Sequence, residues 1–210
     1  MKRLTAIAVL VVGLVSLTAA SSFSDERTEQ ISGFFDSSFA KEDSQNYDGA
    51  LSDVLAILKL DPSNYIANYR AGWLCYLKGS HGDSMKYFTK AMTLAPGAIE
   101  PQLGLLLPLM AANKWTEAEA LAAKLVSRAP DNYLAGSRLA YIYYMQGKYK
   151  QAEDQYKAVL KDYPSEIEMT LGLGWTYYKE GRMSEAKEMF QKVLTVRKNN
   201  SGAQAGLKAQ

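Results

Sequence analysis

The chain has few of the residue types from which enzymes build nucleophilic or metal-dependent sites. Its 210 residues include one cysteine, Cys75, and one histidine, His81, which stands in a GSHGDS segment expected to be a solvated turn. A thiolate–imidazole pair or a cluster of metal ligands needs more of these residue types. Cys75 is expected to be a small buried residue. The sequence therefore predicts no catalytic residue, no metal site, no cofactor and no enzymatic activity.

The charged residues are balanced, and they are mixed along the whole chain. There are 24 Lys and Arg residues against 22 Asp and Glu residues. A protein that follows a nucleic-acid backbone needs a basic stripe, and none is present in the sequence. We therefore expect no nucleic acid among the partners.

The first twenty residues have the layout of a secretory signal peptide. A basic start is followed by an apolar run from Leu4 to Leu17 and then by small residues. As a helix this run would span about 21 Å, less than the roughly 30 Å of a hydrocarbon layer. We expect residues 1–20 to be a signal peptide, residues 21–30 to be a linker, and the protein to be periplasmic or secreted. An uncleaved segment that anchors the chain in the inner membrane stays open as the alternative, and no other membrane contact is expected.

The rest of the chain repeats with a period of 34 residues. Prolines recur at this spacing at Pro62, Pro96, Pro130 and Pro164. Residues that can end a helix at positive φ recur at the same spacing, at Gly79, Asn113, Gly147 and Gly181. Each unit has the pattern of two helices joined by a turn. The predicted units are residues 31–64, 65–98, 99–132, 133–166 and 167–200, and a C-terminal remnant helix or tail covers residues 201–210.

This pattern resembles that of the tetratricopeptide repeat family. In the fourth unit the matching residues are Leu139, Ala140, Tyr143, Gly147, Ala152, Tyr156 and Pro164. The resemblance covers about 170 residues, and it implies an all-α, right-handed superhelical solenoid of antiparallel helix pairs, with about five units. Small residues at positions 8 and 20 of a unit should let its two helices approach closely.

Three places depart from the family pattern. The first helix of the first unit is degenerate, and Lys198 replaces proline at the end of the fifth unit. Pro108 falls inside the first helix of the third unit, where we expect a kink.

A second stripe on each first helix holds large side chains that hairpin packing does not require. Positions 2, 5, 9 and 12 of a unit lie roughly 130° around the helix from the interhelical stripe. In tetratricopeptide arrays this second stripe lines the concave groove, so the resemblance implies a groove here. The residues predicted to line it are Tyr69, Trp73, Tyr76, Leu103, Leu107, Met110, Tyr141, Tyr144, Leu171, Trp175 and Tyr178.

An exposed apolar strip of this kind usually marks an interaction site, and Tyr, Trp and Met commonly anchor interfaces. The sequence therefore predicts a non-enzymatic scaffold or adaptor of the cell envelope. It would hold an apolar or amphipathic segment of another protein in its groove.

Three alternatives stay open. The protein could be a self-assembling structural protein, a homo-oligomer whose groove is filled by another copy or by its own N-terminal segment. The solenoid could hold a small molecule, or the second stripe could be more buried between helices than the family geometry implies. The candidate plug residues are Phe23, Ile31, Phe34, Phe35 and Phe39.

Overall fold

The computed structural model describes residues 26–209. The predicted signal peptide and the first part of the predicted linker therefore lie outside the described residues. The described residues form helices and no strand, which confirms the predicted all-α class. They divide into two compact units, one ending at Ala95 and one beginning at Pro96, here called the N-terminal unit and the C-terminal unit. No helix in this part of the chain combines the length and apolar character needed to cross a membrane.

The N-terminal unit contains four helices. They are α1 (residues 26–43), α2 (Tyr47–Leu60), α3 (Tyr65–Leu77) and α4 (His81–Leu94). Residues 26–30 are helical, so the linker assignment does not hold for them. Ile31, Phe34 and Phe35 of α1 pack against the core of this unit, because they form the apolar face of a helix. The alternative in which these three side chains plug a groove is therefore wrong. Phe23 lies outside the described residues.

The C-terminal unit contains seven helices within the described residues. They are α5 (Glu100–Ala111), α6 (Trp115–Arg128), α7 (Tyr133–Met145), α8 (Tyr149–Asp162), α9 (Ile167–Lys179), α10 (Met183–Val196) and α11 (Ser201–Lys208). Consecutive helices pack on one another throughout this unit. Pro108 lies inside α5 as predicted, while the kink expected there stays a prediction. The C-terminal remnant is a helix over Ser201–Lys208.

The turns between paired helices use left-handed residues at the predicted positions. Gly79, Asn113, Gly147 and Gly181 have φ values of 76°, 56°, 73° and 78°. In the first hairpin, Gln45 takes this role with φ of 60°. Glycine relieves the steric cost of this conformation, and asparagine tolerates it better than most residues. The predicted helix ends are confirmed.

Small residues allow close helix pairing, as the repeat pattern predicts. A Cβ atom added at Gly72 would lie 2.9 Å from the ring of Phe88, and one added at Gly174 would lie 2.9 Å from the ring of Phe190. Both rings are fully buried. A side chain at either glycine would force one helix away from its partner.

His81 and Cys75 differ in how well the sequence predicts their surroundings. Cys75 is buried as expected, and burial raises the pKa of its thiol. His81 does not lie in a solvated turn. Ser80 is the N-cap of α4, so His81 is the first residue of that helix, and its buried Nδ1 makes no hydrogen bond within the described residues.

A buried carboxylate joins two hairpins of the C-terminal unit. The Glu153 side chain on α8 is only 2% exposed, and it pairs with Lys150, Lys157 and Arg182 at 3.1, 2.6 and 3.0 Å. Burial alone would raise the pKa of Glu153. Hydrogen bonds from the three cations outweigh that effect and lower the pKa to about 2. The carboxylate is therefore charged in the folded protein at neutral pH.

Candidate peptide-binding site

None of the eleven predicted groove residues is a core residue. Tyr141 is 42% exposed, and the other ten are half-buried. Three of them lie on α3 in the N-terminal unit, and eight lie on α5, α7 and α9 in the C-terminal unit. Their predicted role in binding a peptide stays a prediction.

The three predicted residues on α3 form an aromatic cluster, here called the α3 cluster. Tyr69 meets Phe88 edge to face with ring centres 5.5 Å apart, and Trp73 lies 5.8 Å from Tyr76. Tyr76 in turn contacts the ring of His81 at 6.0 Å. The cluster is thus continuous with the packing between α3 and α4.

Residues of α1 contact the α3 cluster from the other side. The indole N–H of Trp73 donates a hydrogen bond to Glu42 Oε1 at 2.7 Å. Arg70 Nη2 donates to Glu42 Oε2 at 2.9 Å and to Ser38 Oγ at 3.0 Å. The Arg70 guanidinium also lies 3.6 Å above the ring of Phe39, while Arg70 Nε is buried without a partner. The polar edge of Trp73 is therefore occupied by the protein's own chain.

The C-terminal unit contains a pocket of about 550 Å³, here called the C-terminal pocket. This volume lies within the range of small-ligand sites in proteins. The residues that line it are Met110, Ser137, Arg138, Tyr141, Tyr144, Tyr156, Glu168, Met169, Leu171, Gly172, Trp175 and Lys179.

The C-terminal pocket unites five of the predicted groove residues, namely Met110, Tyr141, Tyr144, Leu171 and Trp175. Leu103, Leu107 and Tyr178 do not line it. The hydroxyl of Tyr178 donates to the carbonyl oxygen of Ala209 at 3.3 Å, so this side chain contacts the end of α11.

Trp175 makes more contact with the core than the sequence indicates. Its ring meets Phe190 at 5.2 Å and Tyr178 at 5.5 Å, both edge to face. The expectation that hairpin packing does not involve Trp175 is therefore wrong in part, because position 9 also reaches the second helix of its own unit. Tyr141 is held more loosely, against Trp115 at 6.3 Å.

Tyr156 and Gly172 form part of the pocket that sequence reasoning missed. The sequence identifies Tyr156 only as one of the residues that match the family pattern. It lies against Gly172, where an added Cβ would be 2.5 Å from its ring and 2.7 Å from its hydroxyl oxygen. The glycine at this position is the signal that could have placed Tyr156 at the pocket.

Charged residues also line the C-terminal pocket. Glu168 pairs with Arg197 at 3.3 Å, and both side chains are more than half exposed. Arg138 donates a hydrogen bond from Nη1 to the carbonyl oxygen of Leu103. Lys179 is exposed and makes no ion pair or hydrogen bond within the described residues.

Two of the pocket's tyrosines, Tyr156 and Tyr144, are neutral donors rather than nucleophiles. Burial, with Tyr144 and Tyr141 nearby, raises the pKa of Tyr156 well above its usual value. Burial, with Tyr149 and Tyr141 nearby, raises the pKa of Tyr144 as well. No group of metal-binding side chains occurs in the part of the chain that the structure describes. The arrangement is suited to burying apolar and aromatic groups and to donating hydrogen bonds.

Several solved structures share this fold. A tetratricopeptide repeat protein from Parabacteroides merdae matches with a TM-score of 0.77 and 15% identity, covering 85% of this chain and 71% of its own. YrrB, described as a tetratricopeptide repeat protein with an unusual peptide-binding site, matches with a TM-score of 0.72 and 19% identity, covering 90% and 97%. MamA from Desulfovibrio magneticus matches with a TM-score of 0.75 and 16% identity, covering 82% and 97%.

The curated proteins contain no match to this chain. Sequence profiles of the tetratricopeptide repeat match residues 40–99, 109–169 and 143–210. These matches cover most of the described residues, and the chain therefore belongs to the tetratricopeptide repeat family of non-enzymatic protein-interaction scaffolds.

Proposed function

We propose that this protein is an adaptor of the cell envelope that holds an apolar or amphipathic segment of another protein. The observation that carries the proposal is the C-terminal pocket, whose walls are mainly Tyr, Trp, Met and Leu side chains. Rigid aromatic side chains of this kind anchor protein interfaces. Full burial of four large side chains would contribute roughly 6–12 kcal/mol before association costs, enough for specific binding.

A peptide ligand also agrees with the family. The description of YrrB names a peptide-binding site, and that chain has the same fold at 19% identity. The likeness supports a peptide as the class of ligand, while the pocket's chemistry supports an apolar one.

The proposed location rests on residues 1–20 alone. Their basic start, apolar run and small residues fit export across an inner membrane into the periplasm or beyond. Cell fractionation and N-terminal sequencing of the exported protein test this part. An intact N-terminus in the membrane fraction would favour the anchored form, and recovery with cytoplasmic proteins would contradict export.

The function is tested by photo-crosslinking in living cells from position 141. Tyr141 lines the pocket, and Met183 on α10 offers a matched control because both side chains are 42% exposed. We expect a photo-reactive residue at position 141 to capture one distinct protein, and the same residue at position 183 not to capture it. Mass spectrometry then identifies the captured segment, which should be apolar or amphipathic.

Two results would contradict the adaptor proposal. Crosslinks from position 141 that reach only neighbouring residues of the same chain would show a pocket filled internally. Crosslinks to a second copy of this chain, with a concentration-dependent mass in light scattering, would support self-assembly instead.

A further inference from the structure

Tyr156 brings a polar atom, its hydroxyl oxygen, to the C-terminal pocket. Its side chain is 3% exposed and lines the pocket, and its hydroxyl makes no hydrogen bond within the described residues. A ligand that covered this hydroxyl without offering it an acceptor would bury a polar group without a partner, which is costly and rare in native proteins. A ligand bound over Tyr156 is therefore expected to provide an acceptor for its hydroxyl.

Packing of the repeat does not require this hydroxyl. The equivalent position on the second helix carries Phe88 in the second unit and Phe190 in the fifth, and both rings are fully buried. Phe190 rests on Gly206 in the same way that Tyr156 rests on Gly172. The ring performs the packing at all three positions, and only at position 156 does it carry an oxygen atom.

The pocket lining carries one charge, on Lys179, that no ion pair within the described residues balances. Glu168 is paired with Arg197, whereas the ammonium group of Lys179 has no acidic partner within the described residues. Charge complementarity therefore favours an acidic group on the ligand beside Lys179.

The walls favour an aromatic ring as the inserted group. Tyr141, Tyr144 and Trp175 can meet it edge to face, as Trp175 already meets Phe190. A volume of about 550 Å³ leaves room for the bulkiest natural side chain together with its main chain.

We propose that the C-terminal pocket recognises an aromatic anchor residue followed by an acidic residue in a segment of the partner protein. The anchor ring lies among Tyr141, Tyr144 and Trp175, its main-chain carbonyl accepts a hydrogen bond from Tyr156, and the acidic side chain pairs with Lys179. This inference deepens the proposed adaptor function and rests on it.

The test uses the purified protein and three tetrapeptide probes. They are acetyl-Ala-Trp-Glu-Ala-amide and two relatives, one with Gln in place of Glu and one with Ala in place of Trp. We expect saturable binding of the first probe in ligand-observed NMR. We expect about twofold to fivefold weaker binding of the Gln probe at low salt, and no binding of the probe without an aromatic ring.

Two variants of the protein separate the roles of Tyr156 and Lys179. Y156F should weaken binding of the first probe by about threefold to tenfold, as expected for one lost hydrogen bond. It should leave the thermal midpoint unchanged or slightly raised, because the hydroxyl has no partner in the free protein. K179Q should remove the preference for Glu over Gln. The matched controls are Y177F, at a tyrosine that is 5% exposed and outside the pocket, and K187Q, at an exposed lysine on α10.

Several outcomes would overturn the inference. They are no binding of the first probe at its highest soluble concentration, equal binding by Y156F and the unaltered protein, or a lowered thermal midpoint for Y156F beyond that of Y177F. If position 141 still captures a protein in cells but Y156F and K179Q change nothing, the adaptor function stands and the proposed preference for an aromatic residue followed by an acidic residue is wrong. If the probes behave as expected but position 141 captures nothing, the adaptor function fails and the pocket's preference remains.

Discussion

The α3 cluster and the C-terminal pocket come from the same stripe of the repeat, yet they differ in how their polar groups are partnered. In the α3 cluster, the indole N–H of Trp73 donates to Glu42, which also pairs with Arg70. In the C-terminal pocket, the Tyr156 hydroxyl and the Lys179 ammonium group have no partner within the described residues. Aromatic residues at equivalent repeat positions can therefore lie beside polar groups that the chain itself partners or beside polar groups that it leaves unpartnered.

The difference depends on residues outside the stripe. Glu42 belongs to the preceding 34-residue repeat and accepts the hydrogen bond from the indole N–H of Trp73. Gly172 opens the space that Tyr156 enters from the second helix. A stripe of large side chains is thus a poor guide to an open site until its neighbours are known.

The largest expected effect tests the buried ring packing that the two regions share. F88A and F190A each remove a fully buried ring, and each should destabilise its unit by about 3–5 kcal/mol. Denaturant unfolding followed by circular dichroism measures both. A loss below about 1 kcal/mol for either variant would mean that its ring is not part of a common packing scheme.

The second prediction concerns acid stability of the C-terminal unit. The pKa of Glu153 is lowered to about 2 from its ordinary value of 4.5. The group therefore stabilises the fold above pH 4.5, and its contribution, up to about 3 kcal/mol, is lost as the pH falls from 4.5 through 2. Unfolding free energies between pH 7 and pH 3 should fall more steeply for the unaltered protein than for E153Q. Parallel curves for the two proteins would contradict this role.

The third prediction concerns the loss of the Glu42 carboxylate from the α3 cluster. E42A removes the acceptor of Trp73 and leaves the largely buried Arg70 without its carboxylate. We expect a loss of about 1–3 kcal/mol in unfolding free energy and stronger acrylamide quenching of Trp73 in a protein that keeps only this tryptophan. The control variant is D48A, which breaks the ion pair between Asp48 and Lys78, where Asp48 is 85% exposed. It should lower the unfolding free energy by less than about 1 kcal/mol. Equal effects of the two substitutions would show that Glu42 does not specifically cover Trp73.

The smallest effect is expected at Tyr178, a predicted groove residue that bonds to its own chain. Y178F removes an exposed hydrogen bond to the carbonyl of Ala209, which should cost about 0.5 kcal/mol or less. Hydrogen exchange of the α11 amides should become slightly faster while global stability barely changes. A large global loss would place Tyr178 among the core residues.

The helices and their turns could be predicted because the 34-residue period repeats each signal several times. A proline, a left-handed glycine and a small residue mark the same points in successive units, so one ambiguous residue matters little. Deviations were harder to place. His81 is the first residue of α4 rather than part of a turn, and residues 26–43 are helical without carrying the family pattern.

The candidate site could be predicted only in outline. Helical spacing separates Trp175 from the buried Tyr177, but it does not show that Trp175 also touches Phe190. Partners such as Glu42 and Arg70 lie 28 residues apart, and their pairing depends on how neighbouring helices pack. Tyr156 was hidden for a similar reason, since a core position and a pocket floor look alike in a sequence.

The most direct test of the contrast between the two regions is fluorine NMR of protein labelled with 5-fluorotryptophan. The chain has three tryptophans, and single Trp-to-Phe substitutions assign the signals of Trp73, Trp115 and Trp175. On titration with acetyl-Ala-Trp-Glu-Ala-amide, the signal of Trp175 should shift with saturation while that of Trp73 stays in place. A shift of Trp73 without one of Trp175, or no shift of either, would contradict the assignment of binding to the C-terminal pocket.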